Sequence, residues 1–465
     1  MDSPASRARA PVHPDPPKRA EPMLSAPDAL GRPPHPNRPG RLTRALRVLG
    51  PGLVTGAADD DPSGIATHSQ SGAQLGFGVL WTVVLTLPLM IAVQEACMRI
   101  GAVTGKGLAA VVRETYSRRI LYPMVLIVVA ANTINIGSDI GAMAESLRLL
   151  IPWIPLPVLS VAFALLIVAL EIFVSYRIYI RVLKWLALAL FAYVITAFLV
   201  VVPWGEALLA TFVPRIEFNQ EFLFLLVAVL GTTISPYLFF WQTSNVVEDE
   251  IAEQRIGDTG QAPRISKGYL RRLRVDTFIG MFFANLIAWF IMLVGAVVLH
   301  DGGITDITSA ADAAAALVPL VDGFPNAGVL AQGIFAIGVI GVGLMSVPVL
   351  AGSSAYAVSE TFGWREGLSR RFGQAPAFYA TIAVGTLVGM SFTFIGIDPI
   401  QALVATAVFN GIVAVPLILV ILLVSSRRDV MGEHRSGFWS KLGLWVTFVL
   451  MAAAAVALLV SVVTG

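Results

Sequence analysis

Cysteine is almost missing: Cys97 is the only one in 465 residues, and it lies in an apolar run. A disulfide framework is excluded, and so is a cysteine-based metal site. Charge is scarce too, at 13% of residues, where a soluble domain carries about 25%. A chain of this length with so few charges cannot cover itself with a water-soluble surface. Only five histidines occur, without clustering. No nucleophile stands beside a base and no glycine loop could cradle a phosphate, so neither an enzyme nor a prosthetic group is expected. Nothing calls for a nucleic-acid partner or for an oligomer. The net charge of +2 says little, because where the charges fall matters more.

What the sequence does have is long apolar runs. A helix needs about 20 apolar residues to span a bilayer, and strand is no competitor where the backbone must be satisfied internally. Eleven spans are predicted, at 48–71, 77–100, 120–150, 157–176, 181–203, 221–247, 275–300, 328–356, 376–396, 400–425 and 438–463. The lipid bilayer is thus the first partner. Residues 1–45, rich in Pro, Arg and Ala, differ from all that follows and read as a disordered, basic, cytoplasmic tail. With the tail inside, the inner loops collect Lys106, Arg113, Arg118, Arg119, Arg177, Arg181, Lys184, Arg255, Arg264, Lys267, Arg271, Arg272 and Arg274. Arg365, Arg370, Arg371, Arg427, Arg428, Arg435 and Lys441 also fall inside, and only Arg148 and Arg215 fall outside. That asymmetry fixes the expected orientation in the plasma (inner) membrane, with the C-terminus outside.

Two spans are interrupted. The first contains Asp59-Asp60-Asp61-Pro62-Ser63-Gly64, and the sixth contains Gly231-Thr232-Thr233-Ile234-Ser235-Pro236-Tyr237. Glycine and proline both weaken a helix interior. Five spans separate the breaks, so they hold corresponding positions in two five-helix halves, the second inverted. Paired broken helices of this kind point to a transport site. Ordinary proline kinks are the competing reading. Each charged residue at the bilayer centre costs roughly 2.5–3.5 kcal/mol on insertion scales, and three adjacent aspartates would be kept for a cation crossing an aqueous cavity. Asp61 is the leading ligand. Asp59 and Asp60 suit a vestibule or a helix N-terminus. The domain boundaries expected are 1–45 for the tail, 46–205 and 206–425 for the two halves, and 426–465 for an added eleventh helix.

Gly50-Pro51-Gly52, Asp61-Pro62 and Gly72-Ala73-Gln74-Leu75-Gly76 together resemble the first span of the NRAMP family of divalent metal transporters. The resemblance covers essentially the whole membrane portion and implies an all-α fold of the LeuT type, a 5+5 inverted repeat with broken first and sixth helices. It also implies where this chain departs. The family's metal-binding asparagine falls on Gly64, its methionine ligand on Ser235, its sixth-span histidine on Tyr237 and its carbonyl donor on Thr232. Losing the sulfur and the amide leaves an all-oxygen site, which suits Mg²⁺ and Mn²⁺ more than softer ions. The chain therefore looks like the NRAMP-related magnesium transporters.

The family carries protons on a third-span Asp-x-x-Glu and on the sixth-span histidine. Here only Asp139, in Asn135-Ile136-Gly137-Ser138-Asp139, stands in for the Glu, so weak proton coupling is expected. Asn410 in the tenth span is a further candidate, for the ion or for an interhelical bond. Glu145 reads better as a partner of Arg148, and Glu248-Asp249-Glu250 as a solvated acidic run. The expected function is secondary transport of Mg²⁺ and Mn²⁺ by alternating access, with Asp61, Gly64, Thr232 and Ser235 at the metal and Asp59, Asp60, Tyr237, Asp139 and Asn410 around it. The alternatives are a proton-coupled Mn²⁺/Fe²⁺ importer and an NRAMP-like membrane sensor.

Overall fold

The computed structural model describes residues 61–174, 187–261, 263 and 265–464. The tail, Gly50-Pro51-Gly52, Asp59 and Asp60 lie outside the described residues, as do Arg177, Arg181, Lys184 and Arg264. Every regular element among the described residues is helical. Among the described residues, nine helical stretches are long and apolar enough to cross a membrane, and they answer to nine of the eleven expected spans. The first and fifth spans are represented by Pro62–Leu75 and Leu188–Leu199, each close to undescribed residues.

The helices used below are α1 (Pro62–Leu75), α2 (Trp81–Thr104), α3 (Leu108–Thr115), α4 (Arg118–Arg148), α5 (Leu156–Phe173), α6 (Phe191–Leu199) and α7 (Trp204–Phe212). They continue with α8 (Gln220–Thr233), α9 (Pro236–Ala252), α10 (Lys267–Val294), α11 (Ala310–Ala315), α12 (Ala327–Phe362), α13 (Pro376–Ser391), α14 (Pro399–Ser426) and α15 (Phe438–Thr464).

The break in the sixth span is real and has a local cause. Helix α8 stops at Thr233, Ile234 leaves helical geometry (φ −114°, ψ 59°), and Ser235 is extended at φ −77° and ψ 133°. Pro236 has no N–H to give and forces the residue before it out of the α region. Proline alone is not sufficient, because α2, α4, α12 and α14 run on through Pro88, Pro123, Pro348 and Pro416. The run Gly231-Thr232-Thr233-Ile234 adds a flexible glycine and three β-branched residues, all poor helix formers. Thus the kink alternative fails for span six. In span one, Asp61 is extended (φ −71°, ψ 172°) and α1 begins at Pro62. Asp at the N-cap followed by Pro at the first helical position is a strong helix start.

Glycines seat the two half-helices. A Cβ on Gly72 would run into the Met292 carbonyl, and one on Gly295 would lie 2.8 Å from the Ser69 carbonyl, so α1 and the end of α10 touch backbone to backbone. Similarly, a Cβ on Gly231 would collide with the Ala407 carbonyl, and one on Gly411 would lie 2.7 Å from the Val227 carbonyl. Helix α8 is thereby held on α14. Close approach through small residues is how helices associate in lipid, where apolar burial supplies no drive. The Gly72–Gly76 motif ends α1 with Gly76 at φ 55°, a conformation that glycine reaches at little cost.

Residues 301–327, expected as a plain loop, carry α11 and a 3₁₀ turn at Val318–Leu320. Ser309 and Asp312 form a capping box. This segment is tied down: the Ile307 N–H donates to Gln70 Oε1 at 2.8 Å, and the Ala310 N–H donates to Glu145 Oε1 at 3.2 Å. So Glu145 secures α11 to α4, where a simple pairing with Arg148 was expected. The acidic run at the end of α9 is not a solvated one either. Glu250 is fully buried, and Glu248 accepts from the Tyr356 hydroxyl at 3.0 Å.

Candidate metal site at the paired helix breaks

Asp61 is 1% exposed. Its Oδ1 accepts from the Gly64 N–H at 2.8 Å and from Ser63 Oγ at 2.6 Å, and its Oδ2 accepts from Asn135 Nδ2 at 3.2 Å. The carboxylate therefore caps α1 with one oxygen and keeps the other turned toward α4. A buried carboxylate facing no cation would cost several kcal/mol; the helix N-terminus and three donors offset part of that. Ser63 Oγ also lies 3.3 Å from Thr232 Oγ1. That contact joins the start of α1 to the end of α8, 169 residues apart in the chain.

Thr232 and Ser235 belong to the same constellation, at 1% exposure each. The C-terminus of α8 leaves its last carbonyls without intrahelical partners. Ser235 Oγ donates to the carbonyls of Gly231 at 2.9 Å and Thr232 at 2.6 Å. Each carbonyl has a second lone pair, so Thr232 can still face a cation. Gly64 is the third residue of α1, and its N–H donates to Asp61 Oδ1.

Helix α4 contributes more than its acid. Asn135 and Asp139 are both 0% exposed and one turn apart on one face. Asp139 Oδ2 accepts from Ser346 Oγ of α12 at 3.0 Å. Asp139 Oδ1 and Asn135 Oδ1 have no partner. On α14, Asn410 is 1% exposed and its Nδ2 is unpartnered, next to the Gly411 that seats α8. Tyr237 is fully buried in an apolar cluster with Met143, Trp241 and Tyr356, and its carbonyl accepts from Ser353 Oγ at 2.8 Å. It packs α9 against α12.

The structure thus assembles Asp61, Thr232 and Ser235 with Ser63 and Asn135, two residues that sequence reasoning did not single out as contacts of Asp61. Their signal was present but weak: a hydroxyl two residues after the aspartate, and an amide four residues before Asp139. Among the described residues no group of three His, Cys, Asp or Glu side chains could hold an ion. The donors gathered here are one carboxylate and neutral oxygens, which suits a hard cation that keeps part of its water.

The family described as natural resistance-associated macrophage protein-like (Nramp) matches residues 52–461. The chain belongs to the Nramp family, among the divalent metal transporters. Its Nramp relatives include the divalent metal cation transporter MntH of Verminephrobacter eiseniae, 26% identical over 404 residues, or 84% of each chain. Another is the protein of the same name from Mycobacterium tuberculosis strain H37Rv, 26% identical over 91% of this chain and 94% of the relative. Among solved structures, the Eremococcus coleocola manganese transporter superposes with a TM-score of 0.71 at 17% identity, covering 91% of this chain and 88% of that one. At that identity the likeness establishes the fold, which is the expected LeuT type.

Proposed function

We propose that this Nramp member is a secondary transporter that moves Mg²⁺, and Mn²⁺ with it, into the cell across the plasma membrane by alternating access. The observation that carries the reading is the buried Asp61 carboxylate at the start of α1, linked through Ser63 and Thr232 to the end of α8, with the oxygens of Ser63, Thr232, Ser235 and Asn135 gathered near it. In this reading Asp61 is the direct ligand. The Thr232 carbonyl faces the ion at the second break, Ser235 contacts it through water, and Gly64 leaves space for a hydrated ion. Asp59 and Asp60 supply negative potential on the approach. Residues 46–205 and 206–425 act as the two halves that rock about the site, and Asp139 and Asn410 border the path.

A narrower octahedral ion such as Mg²⁺ dehydrates reluctantly and is held through one or two carboxylates plus waters, which fits a single acid among neutral oxygens. The second reading is a proton-coupled Mn²⁺/Fe²⁺ importer, and the name of the Eremococcus coleocola manganese transporter supports its manganese part. Purified protein in liposomes, with Mg²⁺ or Mn²⁺ outside and a pH-sensitive dye inside, separates the two. The proposal expects uptake of both ions with little acidification, and uptake at background for Asp61→Asn at equal reconstitution. Near-normal uptake by that variant would remove Asp61 as ligand. Tight, stoichiometric acidification would favour the importer.

A further inference from the structure

We propose that Asn135 on α4 is itself a ligand of the transported ion, through its amide oxygen. This rests on the reading of Asp61 as the direct ligand and adds a donor from a helix that neither break contains. In the structure Asn135 Nδ2 donates to Asp61 Oδ2 at 3.2 Å, so the amide group sits at the carboxylate oxygen that faces α4. Its Oδ1 is buried and without a partner. Leaving a buried acceptor unpaired costs about 1–3 kcal/mol, and a charged ion against Asp61 is a partner that Oδ1 can reach. A half-turn of the amide about its last side-chain torsion exchanges nitrogen for oxygen. With a cation on Asp61, that turn moves two partly positive N–H groups away from the ion and brings a carbonyl oxygen to it.

A further observation supports α4 as the source of an added donor. Asp139, one turn along the same face, also keeps Oδ1 without a partner, so α4 presents two open oxygen acceptors on the side of Asp61. The ligand class follows from the donors: an amide oxygen and a carboxylate select a hard divalent cation, Mg²⁺ or Mn²⁺.

Loss of affinity on removing Asn135 would not by itself prove ligation, because a side chain that only orients a ligand also costs about 10–100-fold. The aspartate variant separates the roles. With a cation bound, a carboxylate at 135 coordinates it and has given up any proton it shares with Asp61 in the empty protein, so it keeps ligation and loses donation. The measurement is isothermal titration of full-length protein in detergent with MgCl₂ and MnCl₂, with melting temperature as the folding control. Asn135→Leu should weaken binding of both ions about tenfold or more, with Asn135→Ala giving the same loss if the leucine variant does not fold. Asn135→Asp should bind at least as tightly as wild type. If Asn135→Asp folds but is as weak as the leucine variant, Asn135 is only a hydrogen-bond donor to Asp61 and the inference is overturned. It is overturned equally if Asn135→Leu binds like wild type while Asp61→Asn does not, an outcome that leaves Asp61 as ligand. Normal binding by Asp61→Asn would instead overturn the underlying reading.

Discussion

At the scale of single residues, the proposed preference for a hard ion is tested at Ser235. It stands at the break, one residue before Pro236, and supplies oxygen where the family has sulfur. Hard ions lose little by that exchange, whereas softer ions lose a polarisable partner. Ser235→Met should therefore raise Cd²⁺ uptake relative to Mg²⁺, and adding Gly64→Asn should raise it further by narrowing the space for retained water. Initial rates in liposomes with both ions present check this; an unchanged ratio in the double variant would show that position 235 does not face the ion. Asp61, Thr232 and Ser235 were legible in the sequence because acids and interrupted helices are rare in apolar spans. The bond from Asn135 to Asp61 was not, since it joins residues 74 apart and an amide in a span has many uses.

Helices were the most legible level. Nine spans were readable from apolar length alone, and the break in span six from proline beside glycine and β-branched residues. What composition could not show was the short α11 or the long-range bonds from Gln70 and Glu145 that hold it, because a short alanine-rich stretch looks the same whether docked or loose. The crossings yield a prediction with opposite signs. Gly231 sits where a Cβ would strike the Ala407 carbonyl, while Gly385, inside α13, has nothing within 4 Å of that position. Gly231→Ala should destabilise the protein by about 1–3 kcal/mol through overpacking. Gly385→Ala should be neutral or stabilising by up to about 1 kcal/mol through helix propensity. Thermal unfolding in detergent reads both, and equal shifts in the two variants would contradict the account of how α8 is seated on α14.

For the molecule as a whole, the basic residues set an orientation that can be measured directly. Residues 249–273 should face the cytoplasm and residues 301–327 the outside. Cys97 is the one native cysteine and it is buried, so a cysteine-free background is one substitution away. Single cysteines labelled from outside by an impermeant maleimide should react in 301–327 and not in 249–273; the reverse pattern would invert the protein. The fold is consistent with transport at every level: the start of α1 and the end of α8 meet beside one buried carboxylate, and glycines seat both helices. The central claim, that these oxygens serve a hard ion, is tested most directly by Mg²⁺ uptake into liposomes against rising Cd²⁺. The account predicts that wild-type Mg²⁺ uptake persists when Cd²⁺ is present in equal amount. Near-complete inhibition by a small fraction of that Cd²⁺, with Cd²⁺ itself transported, would contradict it.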